Sequence, residues 1–299
     1  MTFNPNARTD PRRVRTRGGG KQGTTLVVGG GGIGALIILA VILLTGGDPS
    51  QVPGLTEPGA PGAGTAGAPD VSHCVSGAAA NEDVNCRIVA TAHSLDQIWS
   101  VALPHTGLQY EPPGVTLFTA SVGTACGNAT SAVGPFYCPA DQTTYFDTSF
   151  FDVLSRQFGA SSGPLAQQYV VAHEFGHHIQ HLMGDLDRSR TDPRGPGSGA
   201  VRTELQADCY AGLWAHHADK TPMPGETAPY LLPLTAQDIA DALSAAEAVG
   251  DDRIQHAATG QVNPESWTHG SAEQRQRWFT RGYETGSIAA CDTFSAPEL

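Results

Sequence analysis

Nineteen consecutive uncharged residues, "LVVGGGGIGALIILAVILL" from Leu26 to Leu44, constrain this 299-residue chain more than any other feature. At about 1.5 Å per residue such a run is long enough to cross the hydrocarbon core of a bilayer as a helix. Its four successive glycines are poor in a soluble helix and tolerable in a membrane one, which favours a transmembrane helix over 24–45 against a buried core helix. A cleaved signal peptide is the other reading, but its apolar region is usually about 7 to 15 residues long and ends in a small-residue cleavage site. The run here is longer, and no clear A-x-A follows it.

The run divides the chain. The first 21 residues hold five Arg and one Lys against the single Asp10, without apolar periodicity, which predicts a disordered basic tail over 1–23. Basic residues beside a span stay cytoplasmic, so the tail is expected inside and the C-terminal body outside, in a single-pass protein of the cell membrane. Setting the tail's six cations and one acid aside from the chain's 17 and 29 leaves 11 against 28, a formal charge of −17. Nucleic acid is excluded as a partner on that balance. After the run, "GGDPSQVPGLTEPGAPGAGTAGAPD" is too rich in Pro, Gly and Ala to build a core and predicts a linker over 46–70. A single globular domain is then expected over 71–299.

All six cysteines, Cys74, Cys86, Cys126, Cys138, Cys209 and Cys291, follow the run. An even number on the exported side predicts disulfides. Six cysteines allow 15 connectivities; the two close pairs, 74 with 86 and 126 with 138, leave 209 with 291. A thiolate metal site is the weaker alternative, because no C-x-x-C occurs.

Apolar spacing predicts helices over about 86–103, 165–183, 201–218 and 235–249. β-branched and aromatic residues in "GVTLFTA" and "TTYFDTSF" predict strands. Within the second helix lies "VVAHEFGHHIQH", residues 170–181. His173 and His177, four apart, project from one helical face and can share one ion, while Glu174 lies about 100° round, beside the ion. This is H-E-x-x-H, in which two imidazoles hold zinc, an open position takes water, and the glutamate accepts that water's proton. His178 points about 100° away from His177, and His181 falls roughly 12 Å along the axis from His173, so neither is expected as a ligand. A third histidine six residues after His177, as in metzincins, would fall on Met183.

The third ligand must come from another element. In "ELQADCYAGLWAHH", Glu204 and Asp208 stand one turn apart, so Glu204 is expected on the ion and Asp208 as the carboxylate that accepts from a ligating histidine. A solvated acidic helix face is the bland alternative, and His216 or His217 would give a three-histidine site.

These motifs, "AHEFGHHIQHLMG" and "ELQADCYAGLWA", with "GDDRIQ", "THGSAEQRQRWFTRGYETG", "CDTF" and "TACGNATSAVGPFYCPADQTTYFD", resemble the bacterial putative neutral zinc metallopeptidases. The resemblance covers about 74–294. It implies a zincin-like α+β fold of gluzincin type with Zn2+ on His173, His177 and Glu204 and with Glu174 as base. A fainter similarity to membrane-associated H-E-x-x-H peptidases lies in E-x-x-A-D and in Thr268, His269 and Arg275. His269 is a candidate donor to the oxyanion of the reaction; its alternative is a structural histidine bonded to a carboxylate of "GDDR". The expectation is a membrane-anchored, extracytoplasmic zinc endopeptidase acting on peptides or proteins, with Thr143–Asp147 as an edge on which an extended substrate adds. The competing expectation is a membrane-tethered, zinc-stabilised module that binds a partner without catalysis.

Overall fold

The computed structural model describes residues 3–18 and 67–299. The apolar run 26–44 lies outside the described residues; among those described, no helix is long and apolar enough to cross a membrane.

The chain forms a mixed α/β domain. A four-stranded sheet has the order β1 (Arg15–Arg17), β2 (Gly114–Phe118), β6 (Thr143–Phe146), β5 (Phe136–Cys138). β1 and β2 are parallel, as are β2 and β6, while β5 runs antiparallel to β6 with Tyr137 opposite Thr144. Thus β6, expected as an edge, is central, and β5 is an outer strand among the described residues. The hairpin β3 (Ser121–Thr124) and β4 (Gly127–Thr130) is tied to β5 by the Cys126–Cys138 disulfide. The expected strand "TTYFDTSF" stops at Phe146 because the Asp147 carboxylate accepts from the Ser149 amide and hydroxyl, opening α3 (Ser149–Arg156) after the short α1 (Gly77–Glu82) and long α2 (Val84–Ala102).

Four further helices build the core around the site: α4 (Pro164–Met183), α5 (Gly199–Ala218), α6 (Ala236–Ala248) and α8 (Ala272–Thr285), with α7 (Asp251–Thr259) at the side. α4 starts on Pro164, where a missing amide costs nothing, and stops at Gly184, whose φ of 80° places it in the left-handed region. A capping box between Ser271 and Gln274 opens α8. α5 and α8 touch backbone to backbone, since a Cβ on Gly212 would lie 2.0 Å from the Phe279 carbonyl oxygen and one on Gly282 would lie 1.9 Å from that of Cys209. The Cys209–Cys291 disulfide closes the same contact. Cys74–Cys86 fastens the start of the domain to α2. There is no free cysteine.

The N-terminal segment departs from expectation. A disordered tail was the reading of its charge, but the described part, residues 3–18, is folded onto the domain: Phe3 and Ala7 are fully buried, Val14 is 5% exposed, and β1 extends the sheet. Three apolar anchors, spaced irregularly around a turn at Pro11–Arg13, leave no periodic signal for a sequence reading to find.

Candidate metal centre

α4 and α5 cross so closely that a Cβ on Gly176 would sit 3.0 Å from the Ala207 Cα. That approach brings a turn of α5 against the H-E-x-x-H face. The Nε2 of His173 lies 3.2 Å from one Glu204 oxygen, and the Nε2 of His177 lies 3.6 Å from the other. Two donors on a tetrahedral zinc, each at about 2.0–2.2 Å, stand roughly 3.4 Å apart. All three ligand atoms lie within 4.8 Å of one another, and all three residues are buried. His177 Nε2 has no hydrogen-bond partner among the described residues. Two imidazoles and a carboxylate in this spacing fit Zn2+.

Each imidazole is oriented from behind. His173 Nδ1 donates to Asp208 at 2.8 Å, which presents Nε2 to the ligand side. Asp208 is in turn gripped by Arg275, whose Nε and Nη2 donate to its two oxygens at 2.8 and 2.9 Å, and by the Tyr169 hydroxyl. Arg275 and Asp208 are both fully buried. His177 Nδ1 donates to Gln180 Oε1 at 2.8 Å, and the Gln180 amide is spent on the Thr203 carbonyl and Gln206. The electrostatics follow. Burial opposes a charged His173, but the Asp208 carboxylate outweighs it and pushes the imidazole up to about 9. For His177 burial outweighs the Glu204 carboxylate and takes the imidazole down to about 4. For Glu204 burial works upward and is overcome by His269, His177 and His173, which hold it well below the usual carboxylate range.

Glu174 is fully buried, and among the described residues no side chain bonds its oxygens; the Tyr137 backbone amide approaches the carboxylate without reaching hydrogen-bond geometry. Burial pushes it up to about 7, against the pull of His173. His269, from the loop before α8, acts on Glu204 and His177 of the cluster. Asp251 accepts the backbone amides of Thr268, His269 and Gly270 on one oxygen, at 2.8, 2.7 and 3.0 Å. The His269 Nδ1 lies 2.8 Å from the Thr268 hydroxyl, and its buried Nε2 has no partner. The carboxylate of "GDDR" therefore holds the loop backbone with one oxygen and stands 3.9 Å from His269 Nδ1 with the other, so only the Nε2 edge of the imidazole is open.

His216 and His217 are elsewhere, bonded to the carbonyls of Tyr283 and Gly286 at the end of α8, so the three-histidine alternative falls. His178 is buried and bridges the Glu111 carbonyl and the Tyr137 hydroxyl, and His181 packs 6.2 Å from the Tyr137 ring. The sequence reading passed over Tyr169 and Gln180, although each stands at helical spacing, four before His173 and three after His177. It noted Arg275 without its clamp on Asp208.

The sequence model described as "Putative neutral zinc metallopeptidase" matches residues 5–294. The chain belongs to this family. Membership implies a Zn2+ cofactor. Among the family member's relatives, an uncharacterized protein of Mycobacterium tuberculosis and one of Mycobacterium bovis are each 57% identical over 230 residues, 77% of this chain and 77% of theirs. The uncharacterized protein YpfJ of Escherichia coli is 38% identical over 220 residues, 72% of this chain and 73% of its own. No solved structure matches.

Proposed function

We propose that this zinc metallopeptidase family member is an endopeptidase, with zinc on His173, His177 and Glu204. Bound there, zinc supplies a Lewis acid that acidifies water and polarises a carbonyl. Glu174 takes the proton of the attacking water and later gives it to the departing amine. The free Nε2 edge of His269 donates to the oxygen on which charge develops. A substrate strand adds to the outer edge of β5, rather than to β6, because β5 lies against α4 through the Tyr137–His178 bond. Export to the disulfide-forming side rests on the three disulfides, and attachment to a membrane rests on the run 26–44.

The observation that carries the reading is the fully buried Glu174 carboxylate beside the ligand cluster, with no side-chain hydrogen-bond partner among the described residues. A purely structural zinc site has no use for it, and leaving a polar group so placed is costly. One observation favours the non-catalytic alternative: His173, His177, Glu174, Glu204 and His269 are each at most 4% exposed, so the site is nearly sealed. The full-length protein, purified with zinc and given an unfolded protein substrate, separates the two. The expected result is about one zinc per chain and cleavage that falls on the order of 10²-fold or more in Glu174→Gln, with zinc content kept. Equal cleavage by wild type and Glu174→Gln, or none by wild type at full zinc occupancy, would leave the binding module as the better reading.

A further inference from the structure

The N-terminal segment, residues 3–17, is bonded to the domain along its whole length. Asn81 on α1 grips Phe3 at both backbone groups, accepting from its amide at 2.7 Å and donating to its carbonyl at 3.1 Å. Asn4 donates to the Tyr230 carbonyl, Gly77 donates to Ala7, and Thr9 donates to Val75, at 2.8, 2.8 and 3.2 Å. His93 on α2 accepts from the Asp10 amide at 3.0 Å. Arg13 donates twice to Asp96 on α2, at 2.5 and 3.1 Å, with both side chains at most 20% exposed. Arg15 to Arg17 then pair with Thr116 to Phe118. At Gly77 a Cβ would come within 2.0 Å of the Asn4 carbonyl oxygen, so α1 is shaped to the segment's presence.

The contact reaches the back of the metal helix. The Arg13 guanidinium stands 5.9 Å from the ring centroid of Phe175, the residue after Glu174. Its partner Asp96 also accepts from the Tyr110 hydroxyl at 2.8 Å; the Tyr110 ring meets His178 edge-on, and His178 holds Tyr137 of the outer strand. The segment thus supports α4 and β5 from the side opposite the ligands.

We propose that residues 3–17 are a structural part of the metal-bearing unit and lie with it on one face of any membrane that the chain meets. A bilayer's hydrocarbon core is about 30 Å thick, and hydrogen bonds of 2.5–3.2 Å cannot be made across it. The docked segment and a single crossing between it and the unit therefore exclude each other, and attachment through the apolar run would be without a net crossing. The inside placement expected from the tail's six cations assumes that the tail is free, whereas the fold commits Arg13 to an ion pair and the backbone of Arg15 to Arg17 to a strand. This inference does not depend on peptidase activity.

The test uses the full chain in intact bacteria. A cysteine is placed at Arg12, 89% exposed, or at Glu273, 80% exposed. Each variant is treated with a membrane-impermeant maleimide before and after permeabilisation, and labelling is mapped by mass spectrometry. R12C and E273C should respond alike, both labelled in intact cells or both only after permeabilisation. Labelling of one and protection of the other would overturn the proposal. In the purified full chain, hydrogen exchange at Asn4, Thr9 and Asp10 should be slowed at least tenfold relative to an unstructured peptide. Unslowed exchange there would equally overturn it.

Discussion

The two halves of the metal centre differ in how completely their polar atoms are used. Behind His173 every buried group has a partner: Asp208 takes His173, Tyr169 and both arms of Arg275. On the other side the Glu174 carboxylate, His177 Nε2 and His269 Nε2 are buried without a side-chain hydrogen-bond partner among the described residues. Satisfied buried networks rigidify, whereas unsatisfied buried groups carry a desolvation penalty that a bound metal, water or substrate can relieve. The contrast separates a half that holds imidazoles in place from a half that faces the chemistry.

The comparison breaks most completely at a ligand. His177→Ala should lose stoichiometric zinc and with it measurable cleavage, read by metal analysis beside a peptidase assay. Zinc retained at wild-type occupancy would mean that the open half does not contain the ion. On the saturated half, Arg275→Met leaves Asp208 buried without its cation. It should lower unfolding stability by about 3–5 kcal/mol in denaturant melts, and a loss under 1 kcal/mol would show the network to be dispensable. Within the open half, His269→Phe should reduce kcat by roughly 10²-fold while zinc content holds. An unchanged kcat would return His269 to a structural role.

The smallest effect sharpens the contrast through pH. In the zinc-free protein the folded-state value of Glu174 is raised to about 7 from 4.5, so its protonated form favours folding. That contribution is fully present below the unfolded value near 4.5 and is lost as pH rises through about 7. Glu174→Gln does not titrate. Zinc-free Glu174→Gln should therefore match wild type at pH 4.5 and exceed it at pH 8 by about 1–3 kcal/mol. Equal melting at both values would place the carboxylate in a solvated setting.

What was legible in the sequence is what short-range geometry fixes. Four-residue spacing puts His173 with His177 and Glu204 with Asp208 on shared helical faces whatever the rest of the chain does. The close cysteine pairs, 74 with 86 and 126 with 138, are likewise neighbours by chain length. The tertiary structure decided everything that depends on distant segments meeting. It made β6 central and β5 the outer strand, because strand order is set by which edges pair and not by the residues of one strand. It brought Arg275 to Asp208 across 67 residues and used Asp251 to fix the loop backbone that carries His269. It also folded the basic N-terminal segment onto an acidic domain. Composition there reported charge, while the burial of Phe3, Ala7 and Val14 depended on pockets built by residues more than 60 positions away.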